Sequence, residues 1–434
     1  MCGILFSSKE IQEIKKTLKY LKKRGPDHTE YKIINNYHFI HVLLSMTGEN
    51  YTIQPFVYDD IVIMFNGEIY NFRELDAKYN LNIGTSDCKT IPELYCKLGE
   101  EKWAKLFDRE VKGEYAFVLL EFNKLKNLQK IVIGRDMIGI RPLYFHEPNR
   151  DSKQLIFSSE IKGTMNFKDT IKEFPPGNVY SYSVNEFADL SLKKYNFEWV
   201  YDVKQVYGKS ISWYLGNVRR AVTNAVMRRL NSDRPLAFLV SGGVDSSLVA
   251  GIAAKILGKP LNTFCCVMVG GTDLKYAKMV ANHIKSNHKE VYFTKEEGLK
   301  SLDEVVYCTE TRDATTIRAS VGQFLVSKHI GTMTDCRVVL VGEDPASQIY
   351  VRTKSKKLKS LSSEENFLFK GYIEGNNIMS GDSNVIVTDG FTGNVALKTA
   401  EGTANFIVKE LKNAMTGSLL GKISSILNYY NLNC

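Results

Sequence analysis

The sequence predicts an α+β region followed by an α/β region in one chain of 434 residues. Residues 2 to about 195 contain short apolar runs bounded by Gly, Asn and charge, at 60–65, 113–121 and 130–134, which are typical of strands. Helical stretches such as 88–97 lie between them, although Pro92 limits where that helix can begin. From residue 205 onward, strands and helices alternate, which predicts a parallel sheet covered by helices.

The alternation is clearest between residues 211 and 341. An apolar stripe at helical spacing predicts a helix over 211–230. Strands are predicted at 236–240, 263–269, 290–293 and 337–341, with helices from Ser247 and Asp273. Because ligands of parallel sheets gather at the carboxyl ends of the strands, the Gly-rich turns there are candidate sites.

Composition favours an ordinary globular protein of the cytoplasm. The apolar start of the chain is too short for a signal peptide, and no apolar run approaches the roughly 20 residues that span a bilayer. The eight cysteines form no C-x-x-C pair and do not cluster with the seven histidines, which argues against zinc sites and disulfides. Despite the net charge of +9, the basic run at 352–359 lacks interleaved aromatic residues, so we expect a solvated face and no nucleic-acid site.

Cys2 is a candidate nucleophile. It directly follows Met1 and is small enough for the methionine to be removed. The freed α-amino group, with a pKa of about 8, could then act as general base beside the thiol. Taken alone this is a weak signal, and an incidental N-terminal cysteine is the alternative.

Further motifs strengthen the assignment. They are Met1-Cys-Gly-Ile, Arg24-Gly-Pro-Asp27, Asn66-Gly-Glu-Ile-Tyr-Asn71, Ser86-Asp87 and Arg135-Asp-Met-Ile-Gly-Ile-Arg-Pro-Leu-Tyr144. In this order they resemble the class II glutamine amidotransferases, and 158–160 and 175–177 extend the resemblance to asparagine synthetase. The resemblance implies a glutamine amidotransferase domain over 2–195 with the αββα sandwich of N-terminal nucleophile hydrolases.

The resemblance also implies roles for single residues. The Asn66 side chain and the Gly67 backbone N–H would stabilise the oxyanion, and Glu68 and Asp87 would hold the α-ammonium and α-amide region of glutamine. Asn-Gly is also a strong hairpin signal, so a hairpin turn is the structural alternative. The family has an arginine for the substrate carboxylate where this chain has Val42 or Leu43, and we therefore expect weak glutamine binding.

The run Ser241-Gly-Gly-Val-Asp-Ser-Ser247 lies between an apolar strand and a helix. Its glycines would let backbone N–H groups approach a pyrophosphate at the helix N-terminus, whereas a generic turn is the alternative. The run resembles the ATP pyrophosphatases, and the positions that the resemblance assigns to ATP are Val240, Ser241, Gly242, Gly243, Asp245, Ser246, Ser247, Cys266 and Gly342. Asp245 would also help to hold Mg²⁺ through the pyrophosphate.

Residues 310–320 resemble asparagine synthetase more than other ATP pyrophosphatases. Glu310, Asp313 and Arg318 are candidates for binding aspartate or phosphate, and Glu343 for forming the aspartyl-adenylate. Arg312 departs from the family by replacing an aromatic residue. After Glu343 the family pattern is lost, so we expect a truncated ATP pyrophosphatase domain over 205–343.

Residues 344–434 form a mosaic tail, predicted to be a small α/β appendage without activity. Its first part resembles a short stretch of methylenetetrahydrofolate dehydrogenase/cyclohydrolase, around 341–354. Residues 366–425 resemble the C-terminal part of the phosphate acyltransferase of phospholipid synthesis.

Together these patterns predict glutamine-dependent asparagine synthesis. The expected substrates are glutamine, aspartate and ATP with Mg²⁺, and ammonia would pass inside the protein from Cys2 to the second site. The alternative is a glutaminase alone, or a non-catalytic nucleotide-binding remnant, because the synthetase half is incomplete. The oligomeric state stays open, with a homodimer among the options.

Overall fold

The computed structural model describes residues 2–48, 51–84, 86–147, 154–167, 170–184, 190–196, 208–270, 274–336 and 338–340, and four residues between 403 and 407. The chain divides into two compact units, Met1–Glu343 and Asp344–Cys434. Every element described below belongs to the first unit. The expectations for residues 341–347 and for the tail fall outside the described residues.

Sixteen strands are described, and they are numbered in chain order. They are β1 (Gly3–Ser7), β2 (His28–Ile34), β3 (Tyr37–Leu43), β4 (Phe56–Tyr58), β5 (Ile61–Ile69), β6 (Gly113–Phe122), β7 (Leu128–Arg135), β8 (Tyr144–His146), β9 (Ile156–Ser158), β10 (Lys172–Glu173), β11 (Asn178–Val184), β12 (Leu190–Asn196), β13 (Leu236–Leu239), β14 (Asn262–Met268), β15 (Asn287–Phe293) and β16 (Val338–Leu340).

The described α-helices are numbered in the same way. They are α1 (Ile14–Leu21), α2 (Phe72–Tyr79), α3 (Thr90–Leu98), α4 (Glu100–Arg109), α5 (Ile211–Arg229), α6 (Val244–Leu257), α7 (Leu274–His283), α8 (Lys295–Lys300), α9 (Leu302–Thr309) and α10 (Ala314–Met333). Short 3₁₀ turns occupy Asp87–Lys89 and Ile161–Phe167. Among the described residues, none of the helices has the length and apolar character of a membrane span.

Two antiparallel sheets of six strands form the N-terminal part, in the orders β10-β8-β9-β1-β3-β2 and β12-β11-β7-β6-β5-β4. Their facing sides share one buried cluster, which includes Phe6 and Phe39 from the first sheet and Met64 and Val118 from the second. The predicted strands at 60–65, 113–121 and 130–134 are confirmed as β5, β6 and β7.

Helices cover the outer face of each sheet. Leu5, Ile40 and Val42 of the first sheet are buried against α1, and the second sheet packs on α2, α3 and α4 around the fully buried Trp103. These side chains alternate along their strands with those of the inner cluster, as the two-residue period of a strand requires. The result is four layers, helix, sheet, sheet and helix.

The helix expected over 88–97 begins two residues later than predicted. A 3₁₀ turn precedes it, in which the Ser86 hydroxyl accepts a hydrogen bond from the Cys88 N–H. Pro92 is the third residue of α3. An N–H in the first turn has no partner within the helix, so proline is tolerated there.

Asn66 and Gly67 lie inside β5, opposite Ala116 and Tyr115 of β6. The hairpin-turn alternative for this pair is therefore wrong. A Cβ atom added to Gly67 would lie 2.1 Å from the carbonyl oxygen of Glu114. Glycine occurs here because two strands approach closely, and no turn is involved.

A parallel four-stranded sheet, β15-β14-β13-β16, follows. This confirms the parallel sheet and the four strands expected between 236 and 341, and α5 confirms the helix over 211–230. Helix α6 begins at Val244 instead of Ser247, because Gly243 has extended dihedral angles and caps it. Asp245 and both following serines therefore lie in the first turn of α6.

Candidate active sites

Cys2 lies just before β1 and beside the end of β3. Its Sγ atom accepts a hydrogen bond from the Leu44 N–H at 3.4 Å and donates to the Leu44 carbonyl at 3.6 Å. Burial raises the pKa of the Cys2 thiol, although the positive amino terminus and the Leu44 N–H oppose that rise. The thiol therefore needs a nearby base to become a thiolate at neutral pH.

Asn66 is linked to the strand that follows Cys2. The Ser159 hydroxyl accepts hydrogen bonds from the Ile4 N–H at 3.0 Å and from Asn66 Nδ2 at 3.4 Å. Asn66 is 1% exposed, and its Oδ1 atom has no partner among the described residues. The structure thus brings Asn66 to the region of Cys2. Ser159 was not predicted as a site residue, although the motif at 158–160 contains it.

Glu68 and Asp87 form an acidic pair near the thiol. Asp87 accepts hydrogen bonds from the Ile69 N–H at 2.8 Å and from the Thr47 hydroxyl at 2.9 Å. Burial raises the pKa of both carboxyl groups, and the charge of Asp87 raises that of Glu68 further. Two neighbouring acids whose pKa values are raised in this way favour a bound cation such as an ammonium group.

Cys88 shows that these groups lie together. The pKa of its thiol is raised well above the ordinary value, first by burial and then by the charges of Asp87, Cys2 and Glu68. The three predicted residues Cys2, Glu68 and Asp87 are therefore close enough to interact electrostatically.

Leu43 ends β3 and is 3% exposed. Neither Leu43 nor the buried Val42 can supply a positive charge for a substrate carboxylate. Arg141 lowers the pKa of Cys2 and of Glu68 through its charge. Its Nη2 atom is, however, 3.4 Å from the Glu114 carboxylate, so Arg141 already has an acidic partner.

The second candidate site is the loop between β13 and α6. Gly242 has a φ of +88°, and a Cβ atom there would lie 2.4 Å from the Tyr276 Cβ atom, so only glycine fits. The Ser241 and Ser246 hydroxyls are 2.9 Å apart, and the Ser247 hydroxyl donates to the Gly243 carbonyl at 2.6 Å. These bonds fix an exposed loop at the N-terminus of α6, which is suited to anions.

Val240 and Cys266 lie at the carboxyl ends of adjacent strands. Val240 is 1% exposed, and its N–H donates to the Phe264 carbonyl of β14 at 2.8 Å. The structure therefore places both beside the Gly-rich loop. Gly342 lies outside the described residues.

Asp245 is exposed in the first turn of α6. Within the described residues, no three His, Cys, Asp or Glu side chains are grouped to hold a metal ion. A metal held by protein ligands alone does not fit this part of the chain. A magnesium ion held by one carboxylate and phosphate oxygens does fit, because Mg²⁺ commonly binds in that way.

Glu310 does not fit its predicted role as an aspartate or phosphate ligand. Its side chain is 12% exposed, and its oxygens accept hydrogen bonds from the Ile161 N–H at 2.9 Å and the Lys162 N–H at 2.8 Å. A carboxylate occupied by these donors serves to join the two parts of the chain. The prediction missed this contact because it joins residues about 150 positions apart.

Asp313 and Arg318 lie at the start of α10, and both are exposed. Asp313 Oδ2 caps this helix by accepting from the Thr316 N–H at 2.6 Å and from its hydroxyl at 2.7 Å. These bonds lower the pKa of Asp313. Glu343 lies outside the described residues.

Residues 1–205 match the family described as "Glutamine amidotransferase domain", and residues 217–344 match "Asparagine synthase". These matches define a protein that joins an amidotransferase domain to a synthase domain. "Asparagine synthetase [glutamine-hydrolyzing]" from Bos taurus and that from Homo sapiens are each 35% identical to this chain over 386 residues, which is 81% of this chain and 67% of the relative. The rice relative (Oryza sativa subsp. japonica) of the same name, numbered 2, is 34% identical over 366 residues, 79% of this chain and 58% of the relative.

The chain therefore belongs to the glutamine-hydrolysing asparagine synthetase family. Residues 332–433 match a different family, described as "Fatty acid synthesis protein". The two resemblances expected for the tail stay predictions. The solved structure of "NH3-dependent NAD synthetase" from Campylobacter jejuni subsp. jejuni NCTC 11168, in complex with the nitrate ion, is 16% identical with a TM-score of 0.20, covering 36% of this chain and 79% of that chain. That likeness is too weak to bear on the fold.

Proposed function

We propose that this chain makes asparagine with ammonia that it releases from glutamine at Cys2. The observation that carries the proposal is the half-buried Cys2 thiol with the Asn66 amide and the acidic pair Glu68–Asp87 around it. Family membership supports the same activity, and it favours synthesis over the alternatives of a glutaminase alone or a nucleotide-binding remnant.

The first reaction follows from the groups around Cys2. After removal of Met1, the α-amino group of Cys2 takes the thiol proton, and the thiolate attacks the side-chain amide carbon of glutamine. The Asn66 amide and the Gly67 N–H donate to the oxyanion that forms. Collapse of this intermediate breaks the C–N bond, and the departing nitrogen takes the proton to leave as ammonia. Water then hydrolyses the thioester to glutamate and restores the thiol.

The acidic pair orients the substrate. Glu68 and Asp87 bind the α-ammonium group, which leaves the side-chain amide pointing toward Cys2. Since Asp87 is buried and Glu68 is half-buried, a bound cation relieves the repulsion between the two carboxylates. This contact distinguishes glutamine from a simple amide.

The loop at 241–247 binds ATP in the proposed second reaction, which activates the side-chain carboxylate of aspartate. Its backbone N–H groups and the N-terminus of α6 bind the pyrophosphate part, and Val240 and Cys266 border the adenine. Asp245 helps to hold Mg²⁺, which would neutralise phosphate charge when bound. Asp313 and Arg318 face aspartate or phosphate in this proposal.

The domain division is part of the proposal. The four layers of the N-terminal part support an N-terminal nucleophile αββα sandwich over 2–195, and the parallel sheet supports an ATP pyrophosphatase domain over 205–343. All seven cysteines among the described residues are free thiols. Free thiols support a reducing compartment, and we place the protein in the cytoplasm.

Two assays test the proposal. Glutamate release from glutamine should disappear in Cys2→Ala and persist in Cys96→Ala, which removes an exposed thiol on α3. Pyrophosphate release from ATP should require aspartate and persist in Cys2→Ala when ammonia is supplied. Equal glutamate release by Cys2→Ala and the unchanged protein would contradict the first reaction, and pyrophosphate release that ignores aspartate would contradict the second.

A further inference from the structure

A short segment between α5 and β13 lies against the loop that follows β3. The Asp233 N–H donates to the Met46 carbonyl at 3.1 Å, and the Asp233 carboxylate accepts from the Gly48 N–H at 2.8 Å. Beside these bonds, Arg234 Nη2 lies 3.4 Å from the Ser45 hydroxyl. Residues 232–234 therefore lie against residues 45–48.

The same loop borders the glutamine site. Leu44 bonds to Cys2 Sγ, and the Ser45 N–H donates to the Asp27 carboxylate at 2.8 Å. The Thr47 hydroxyl donates to Asp87 at 2.9 Å. Arg234 thus contacts a loop whose neighbouring residues touch both the nucleophile and the acid expected to bind the amino group.

The charges around the site leave Arg234 suited to bind an anion. Arg234 is half-buried, and no carboxylate among the described residues lies within 4.0 Å of its guanidinium. Glu114 already pairs with Arg141 at 3.4 Å and with Arg229 at 3.1 Å. A guanidinium without an acidic partner binds a carboxylate strongly, often through two parallel hydrogen bonds.

We propose that Arg234 binds the α-carboxylate of glutamine and replaces the arginine that the family would have at Leu43. The inference rests on the proposed glutaminase reaction. In glutamine, only Cγ, Cβ and Cα separate the amide carbon from the carboxylate, so the carboxylate lies one side-chain length from Cys2. Arg234 Nη2 lies 3.4 Å from the Ser45 hydroxyl, and the adjacent residue Leu44 bonds to Cys2 Sγ, so the guanidinium contacts the loop one residue beyond the contact of the nucleophile. The glutamine site is then completed by a residue of the second domain.

Binding measurements test this role without requiring turnover. In full-length Cys2→Ala, isothermal titration would compare Arg234→Gln with Arg228→Gln, which removes the same charge from an exposed position of α5. The ligands are glutamine and glutamine α-amide, which has no carboxylate. We expect Arg234→Gln to raise the Kd for glutamine by about 10-fold or more and the Kd for the α-amide by about 2-fold at most. Arg228→Gln should leave both unchanged, and Arg234→Lys should recover part of the glutamine affinity.

Two results would overturn the proposal. One is an unchanged Kd for glutamine in Arg234→Gln. The other is an equal loss for glutamine and the α-amide, which would mean that Arg234 only holds the domains together. Glutamate release distinguishes failure of this proposal from failure of the proposed glutaminase reaction. Release that requires Cys2 but is unchanged in Arg234→Gln would support the glutaminase reaction and reject the role of Arg234.

Discussion

Glu310 accepts two hydrogen bonds from Lys162, one from its backbone N–H at 2.8 Å and one from its Nζ atom at 3.3 Å. Lys162 Nζ also lies 3.0 Å from Glu160, which in turn lies 3.3 Å from Arg24. The Arg24 Nε atom donates to the Cys2 carbonyl at 3.0 Å. A series of oppositely charged side chains therefore connects Glu310, at the end of α9, with the backbone carbonyl of Cys2.

Replacing Glu310 with alanine should destabilise the protein measurably. The change leaves the backbone donors of Ile161 and Lys162 without their acceptor in a largely buried place, at a cost of about 1–3 kcal/mol. Glu304→Ala is the matched control, because Glu304 lies on α9 just before Glu310 and its pair with Lys328 of α10 has both side chains more than half exposed. Urea unfolding monitored by circular dichroism measures both. Equal midpoints for the two variants would contradict the buried contact.

Gly67→Ala should disrupt the pairing of β5 with β6. The new Cβ atom would meet a backbone oxygen, which cannot move aside as a flexible side chain could. Gly251→Ala in α6 is the control, since nothing lies within 4 Å of its added Cβ atom. We expect that variant to gain up to about 1 kcal/mol. Thermal unfolding distinguishes them, and a Gly67→Ala midpoint as high as that of the unchanged protein would reject the close approach.

Glutamine binding should release protons. Burial raises the pKa values of Glu68 and Asp87, and the charge of Asp87 raises that of Glu68 further. An ammonium group placed between them lowers these values again. Affinity for glutamine should therefore rise with pH while the free carboxyl groups lose their protons. Titration calorimetry of Cys2→Ala in buffers with different ionisation enthalpies counts the protons.

The same titration has a sharp control. Glu68→Gln should reduce the number of protons released, whereas Glu101→Gln, at an exposed surface pair, should not. Binding without any proton exchange in the unchanged acidic pair would show that the pair is already fully ionised.

His41 should make the fold sensitive to acid. It is fully buried, neither ring nitrogen has a hydrogen-bond partner among the described residues, and burial lowers its pKa to about 3. A histidine with a depressed folded pKa contributes stability above its unfolded pKa of about 6.5, and this is lost as the pH falls toward 3. At pH 5 the loss is about 2 kcal/mol. His41→Gln should flatten the dependence of the free energy of unfolding on pH in this range, and His283→Gln, at an exposed position, should not. Superimposable curves for His41→Gln and the unchanged protein would show that His41 does not cause the sensitivity to acid.

The strands and their order of appearance could be predicted from the sequence because they depend on local patterns. The run at 236–240 is apolar and ends at a Gly-rich loop, and it forms β13. The start of α6 was misplaced by three residues, because the serines of the loop resemble caps whereas Gly243 has the extended angles. Glycine gives no side-chain signal for such a position.

Site residues that depend on contacts between distant parts of the chain could not be predicted. Glu310 was expected at the aspartate site, yet it contacts residues 148 positions earlier in the chain. Arg234 lies in no recognised motif. Its proposed role depends on the contact of residues 232–234 with the loop after β3, which the sequence does not show. Asn66, Glu68 and Asp87 were predicted because their motifs are local, and the structure places them in the region of Cys2.

The central claim is that the N-terminal thiol attacks the side-chain carbonyl carbon of glutamine. The most direct measurement is peptide mass spectrometry after treatment with a diazoketone analogue of glutamine, which alkylates the thiolate that binds it. We expect one adduct, on a peptide that begins at Cys2 without Met1, absent from Cys2→Ala and suppressed by excess glutamine. An adduct on Cys88, or a protein that keeps Met1 and still releases glutamate, would contradict the account.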